Sequence, residues 1–99
     1  MTDRELVERA AMAAGYSPAR VTHDGLVLLR GVAVKWSPLR DNGDALRLAV
    51  AMGMDLHIDK GSACARSLEH EAVEDFDDYG DPMAATRRAI VRAAAGAGV

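Results

Sequence analysis

Several kinds of residue are scarce in this chain of 99 residues, and each scarcity excludes something. A single cysteine, Cys64, has no partner for an intramolecular disulfide, which fits a reducing cytoplasm. No apolar run approaches the roughly 20 residues that span a bilayer. The first residues, Met-Thr-Asp-Arg-Glu, lack the basic and then apolar layout of a signal peptide. The sequence therefore predicts a cytoplasmic protein without a membrane-spanning helix.

Aromatic residues are also few, with one Trp, two Tyr and one Phe, so the apolar half of the composition is carried mainly by Ala, Val and Leu. Such a composition predicts a core of small side chains. The formal net charge of −3 gives no general attraction to nucleic acid or to a membrane surface. The length predicts one domain over residues 1–99 with a single core.

The stretch 36–55 carries the clearest local signals. After Pro38 fixes an extended arm, Asp41 is a predicted N-cap, with Asp44 three residues later in a capping-box arrangement. Gly53 is the predicted left-handed residue that ends the helix. From residue 45 to residue 52 only Arg47 is polar, which predicts a helix buried on more than one side. A buried Arg47 would need a partner. The candidates are Asp44, on the same helix, and Asp81, at the start of the last helix.

The remaining elements follow from periodicity and from turn residues. A first helix is capped by Thr2 and Glu5 and ends near Gly15, and a last helix begins at Asp81-Pro82 and ends at Gly96. Apolar or alternating runs predict strands over 26–29, 32–36, 54–59 and 63–69, the third with one buried and one exposed face. The fold class is therefore α+β: an antiparallel sheet of about four strands packed with three helices, in the order α-β-β-α-β-β-α, as a compact sandwich.

Three stretches together resemble a known family. They are Trp36-Ser37-Pro38-Leu39, then Asn42-Gly43-Asp44-Ala45-Leu46-Arg47-Leu48-Ala49-Val50, and later Asp81-Pro82-x-x-Ala85-Thr86-Arg87-Arg88-Ala89-Ile90-Val91. This pattern resembles the alpha-beta-alpha sandwich domain of small tailed-phage and prophage proteins. The resemblance covers roughly residues 36–95, and it implies a phage or prophage origin and a compact α/β sandwich. The family has no established activity, so the resemblance implies no catalytic residues.

Residues that could hold a metal or act as a nucleophile gather around the predicted hairpin at residues 60–62. His57 and Asp59 share a strand face, Cys64 follows the turn, and His23 and His70 are the other histidines. No spacing among them matches a zinc site, and a lone cysteine is more often a small buried residue than a nucleophile. No glycine-rich phosphate loop is present. The sequence predicts no catalytic residues, no metal and no cofactor, and hence a protein that is not an enzyme.

Two surfaces remain as candidates for binding. An arginine cluster with the lone Trp could bind a small anionic ligand such as a nucleotide, or its arginines could pair with nearby acids within the fold; its members are Arg47, Arg87, Arg88 and Trp36. The acidic segment before the last helix could be a solvated loop. It could also bind a partner by imitating the phosphate charge of DNA, with two aromatic anchors. The segment runs from residue 69 to residue 81, and its candidate partner-binding residues are Glu74, Asp75, Phe76, Asp77, Asp78 and Tyr79.

The sequence thus predicts a small phage or prophage accessory protein that acts by binding a host or phage protein in the cytoplasm of the bacterial host. The binder of a small anionic ligand is the alternative. No membrane partner and no direct contact with nucleic acid are expected. A homodimer through small apolar helix faces, such as Ala10, Ala13 and Ala14, is compatible with the sequence.

Overall fold

The computed structural model describes residues 2–15, 19–21, 26–29, 32–67 and 70–97. It confirms an α+β fold with three helices and antiparallel strands. The helices are α1 (Asp3–Ala13), α2 (Asn42–Ala51) and α3 (Pro82–Ala97). The strands are β1 (Ala19–Val21), β2 (Leu26–Leu29), β3 (Val32–Lys35), β4 (Asp55–Ile58), β5 (Ser62–Ser67) and β6 (His70–Asp75).

The strand count and the element order differ from the sequence prediction. Among the described residues, six strands form two antiparallel sheets, β1-β2-β3 and β4-β5-β6, so that three of these strands precede α2 and three follow it. β1 was missed because three residues are too few to show a period. β6 was missed because its charges resemble those of a solvated loop, although Ala72 and Glu74 lie on its buried side and alternate with exposed residues.

The predicted hairpin of β4 and β5 and the pair β2–β3, for which the sequence left hairpin pairing open, both have well-defined registers where the chain is described. Leu29 lies opposite Val32 in the β2–β3 pair, and Ile58 lies opposite Ala63 in the β4–β5 pair. At the second turn, Asp59 Oδ1 accepts the backbone N–H groups of Gly61 and Ser62, both at 2.9 Å. Arg30 and Gly31, and Leu68 and Glu69 at the end of the predicted return strand, lie outside the described residues.

The core is built around α3, which packs against α1, α2, β5 and β6. Its inner residues are small: Ala85, Val91 and Ala94 are fully buried. The other buried positions are also mostly alanines, as the composition predicted, and short side chains let helix and sheet approach closely. Ala10 lies in this core and is fully buried, so it is not available to a second copy.

Both predicted ends of α2 are confirmed. Asp41 Oδ2 accepts the N–H of Asp44 at 2.8 Å, and Gly53 has a φ of +62°. At the C-terminal end Met54 N–H donates to Ala49 O at 3.0 Å and Gly53 N–H to Val50 O at 3.1 Å, which is a Schellman motif.

The burial predicted for α2 is wrong. Leu46 and Val50 are 57% and 73% exposed, whereas Leu48 is 1% exposed. The helix packs with one face on α3, and no described element covers its other face. The prediction of a buried charge at Arg47 is therefore also wrong, since its side chain is 68% exposed.

The third of the four predicted strands, which is β4 in the structure, also lacks the buried face that was predicted for it. All four residues of β4 are exposed, including Leu56 at 38% and Ile58 at 56%. β4 is an edge strand, and α3 lies over its neighbours β5 and β6. Alternation of apolar residues identified the strand correctly, but it did not establish that another element covers it.

Gly96 does not end the last helix, which continues to Ala97. A Cβ added at Gly96 would lie 3.0 Å from Nδ1 and 3.2 Å from Cγ of His70. The glycine therefore permits a close approach between α3 and the first residue of β6.

Candidate functional site

An exposed acidic surface, one of the predicted candidates, lies between β6 and α3. Asp75 is followed by one turn of 3₁₀ helix, Phe76–Asp78, and then by Tyr79. We call residues 75–79 the acidic turn. Asp75, Asp77 and Asp78 are exposed, whereas Phe76 and Tyr79 are half-buried. No ion pair joins these three aspartates to a basic side chain in the described part of the chain.

Backbone hydrogen bonds fix the shape of the acidic turn. Phe76 N–H donates to Gly61 O at 2.9 Å, which ties the turn to the β4–β5 hairpin. Gly80 N–H donates to Phe76 O at 3.0 Å, and the φ of +65° at Gly80 allows the chain to reverse into α3. Asp81 then accepts the N–H of Met83 at 3.1 Å, so it caps α3 as predicted.

Glu74 lies directly before the acidic turn but has a different environment. It is 8% exposed, and its two carboxylate oxygens accept hydrogen bonds from the Tyr79 hydroxyl at 2.8 Å and from Arg92 of α3. Burial raises the pKa of the Tyr79 hydroxyl, and the hydrogen bond and negative charge of Glu74 raise it further. Glu74 therefore holds the acidic turn against α3 and presents little surface to a partner.

The arginines of the predicted ligand cluster are directed to partners within the fold. Arg87 Nε donates to Leu39 O at 2.9 Å, and its Nη1 donates to Asn42 Oδ1 at 2.6 Å. Arg88 Nη1 donates to Asp3 Oδ1 at 2.7 Å. Thus Arg87 connects α3 to the start of α2, and Arg88 connects α3 to the start of α1.

Arg47 and Trp36, the other two candidates for ligand binding, lie at α2 and just before it. Arg47 Nη2 lies 2.7 Å from Asp44 Oδ1 and 3.8 Å from Asp41 Oδ2, so the predicted pairing with Asp44 is confirmed. Asp44 Oδ2 accepts the N–H of Ser37 at 2.9 Å and not that of Asp41, so the capping box is not reciprocal. Trp36 is 6% exposed and belongs to the core.

The residues considered for metal binding or nucleophilic catalysis do not form a site where they are described. His57 lies directly opposite Cys64 in the β4–β5 pair, but no group of three potential ligands is present among the described residues. Burial raises the pKa of the Cys64 thiol, and a hydrogen bond to Glu71 raises it further, which disfavours the reactive thiolate. The Asp59 carboxylate accepts the hydrogen bonds of its own turn, which lower its pKa. His23 lies outside the described residues.

Comparison with known proteins finds no protein similar to this chain. No family model, no curated protein and no solved structure matches the chain. The resemblance to the phage sandwich family therefore stays a prediction. Within the described residues, no helix is long and apolar enough to cross a membrane.

Proposed function

We propose that the chain is a non-catalytic phage or prophage accessory protein whose acidic turn binds a basic surface of a host or phage protein. The exposed carboxylates of Asp75, Asp77 and Asp78 are the observation that carries this proposal. The phage or prophage origin, and with it the cytoplasm of a bacterial host as the location, rests on the resemblance of residues 36–95 alone.

Three carboxylates on five consecutive residues give the acidic turn a local negative field. Because no basic side chain of the described residues pairs with them, a partner has no internal ion pair to break before it binds. Lysines or arginines on a partner would experience this field during approach, which accelerates encounter at low ionic strength.

The acidic turn also has the rigidity and the aromatic content of a binding surface. Its ends are fixed by Gly61, by Gly80 and by the contacts of Glu74 with Tyr79 and Arg92, so binding would order few additional groups. Phe76 and Tyr79, which lie among the aspartates in the sequence, are half-buried. Aromatic rings surrounded by polar groups are common anchors at protein interfaces.

The alternative, an anionic ligand held by Arg47, Arg87 and Arg88, has weaker support. Each of these guanidinium groups already has an oxygen partner at 2.9 Å or less. An anion would compete with Asp44, Asn42 or Asp3 for these guanidinium groups, at the points where they hold the starts of α2 and α1.

The test is quantitative capture from a lysate of the bacterium that carries the gene, with the whole chain as bait. We expect one partner in stoichiometric amount with the wild type and loss of that partner with the Asp77→Asn, Asp78→Asn double variant. Binding should also weaken as ionic strength rises, because exposed charges are screened over about 10 Å at 0.1 M salt.

The matched control is the Glu5→Gln, Glu8→Gln double variant, which removes the same amount of charge from α1 and should retain the partner. Recovery that is equal for both double variants would refute the acidic turn as the binding surface. Absence of any stoichiometric partner across lysates of infected and uninfected cells would refute protein binding itself.

A further inference from the structure

The outer edge of β4 is not paired with another strand in the described part of the chain. β4 lies at the edge of the sheet β4-β5-β6, and all four of its residues are exposed. An open edge presents backbone N–H and C=O groups that a further strand can pair with, and natural proteins usually protect such edges. β4 contains no Lys and no Pro that would do so.

The apolar residues of β4 lie on the same face of the sheet as the buried alanines of β5, but they are exposed. Leu56 lies opposite Ala65 and Ile58 lies opposite Ala63, and both alanines are buried. Leu56 and Ile58 share that face but remain 38% and 56% exposed. A strand added next to β4 would cover the backbone edge, and its own side chains on this face would cover the two apolar residues.

The sequence of β4 is complementary to itself in one antiparallel alignment. When Leu56 lies opposite Leu56 of a second copy, Asp55 lies opposite His57 of that copy, and an imidazole N–H can donate to the carboxylate. On the other face Met54 then lies opposite Ile58. Hydrogen-bonded polar pairs and apolar pairs placed directly across two strands stabilise a sheet.

The neighbouring alignments lack this complementarity. Centring the pair on His57 places Asp55 opposite Asp59, and centring it on Asp55 places two Asp55 residues opposite each other. Like charges directly opposite are destabilising. An alignment shifted by one residue would place the polar face of one copy beside the apolar face of the other.

We propose that two copies of the chain pair through β4, antiparallel and centred on Leu56. The result is a continuous six-stranded sheet with a two-fold axis normal to it. The interface is isologous, because each copy contributes the same strand and each Asp55 meets one His57. This dimer depends on β4 and is independent of the acidic turn.

The first experiment measures the monomer–dimer equilibrium of the full chain by sedimentation over a wide concentration range. The wild type should dimerise. His57→Glu should shift the midpoint of the monomer–dimer transition to at least about tenfold higher concentration, because each Asp55 then lies opposite a Glu of the other copy. Adding Asp55→Lys to His57→Glu should restore dimerisation with the charges exchanged. The control Val50→Lys, on the exposed face of α2, should leave the midpoint unchanged.

The second experiment tests the alignment in a Cys64→Ser background. Leu56→Cys should form a disulfide between copies on mild oxidation, because directly opposite Cα atoms lie within the range that a disulfide spans. Ile58→Cys should not, because its counterpart across the axis is Met54. A monomer at every concentration, or a dimer that neither His57→Glu nor its charge exchange affects, would overturn the proposal. Cross-linking through Ile58→Cys and not Leu56→Cys would overturn the alignment.

Discussion

Replacing Glu74 by alanine should lower the free energy of unfolding by about 2–4 kcal/mol. The carboxylate is 8% exposed and accepts hydrogen bonds from Tyr79 and from Arg92. A hydrogen bond to a charged group contributes about 1.5–3 kcal/mol, and water can partly replace the one from Arg92, whose side chain is 45% exposed. Chemical denaturation followed by circular dichroism measures the change.

The matched control for Glu74→Ala is Asp77→Ala, which removes an exposed carboxylate three residues away. We expect that control to stay within about 0.5 kcal/mol of the wild type. Equal effects of the two substitutions would contradict the structural role of Glu74.

Glu74→Ala should also lower the pKa of Tyr79. The chain has two tyrosines, so in a Tyr16→Phe background Tyr79 alone gives the tyrosinate absorbance. Burial raises this pKa, and the hydrogen bond and the negative charge of Glu74 raise it further, so the variant should recover part of the shift. An unchanged titration would mean that the hydroxyl does not contact Glu74 in solution.

Replacing Trp36 by alanine should cost about 3–5 kcal/mol of stability, the range for removing a buried aromatic side chain. Trp36 is 6% exposed and packs in the core at the point where β3 leads into the arm before α2. Circular dichroism during chemical denaturation measures the loss, since the substitution removes the only tryptophan.

Two controls accompany Trp36→Ala. Trp36→Phe should cost less, because part of the ring is kept, and Val50→Ala should stay within about 0.5 kcal/mol since Val50 is 73% exposed. A near-neutral Trp36→Ala would show that the ring is exposed in solution and would return Trp36 to the set of binding candidates.

The features that the sequence predicted well depend on nearby residues. Asp41, Gly53 and Asp81 act through hydrogen bonds or backbone angles within a few residues, so their roles were visible without the fold. For Arg47 the sequence left Asp44 and Asp81 open as partners, and the structure pairs it with Asp44, three positions earlier on the same helix.

The features that the sequence did not predict depend on which elements meet. Leu46 and Ile58 are apolar residues of the kind usually found in a core, but both are exposed. They are exposed because α2 and β4 extend beyond the surface that α3 covers. Glu74 shows the reverse case, since a charge in an acidic run is buried by Tyr79 and Arg92. Its position two residues after Ala72 on one strand face was the available signal, but the surrounding charges obscured it.

The most direct test asks whether the arginines pair within the fold or form an open anion site. It measures the melting temperature of the whole chain with each of a panel of nucleotides, at an ionic strength matched with sodium chloride. A ligand that binds only the folded chain stabilises it by RT ln(1 + [L]/Kd), so the melting temperature keeps rising with the logarithm of ligand concentration above Kd. Because Arg47, Arg87 and Arg88 are held by Asp44, Asn42 and Asp3, we expect no shift at concentrations well above micromolar. A rise that grows with the concentration of any nucleotide would contradict the internal role of the arginines and favour the anionic-ligand function over binding through the acidic turn.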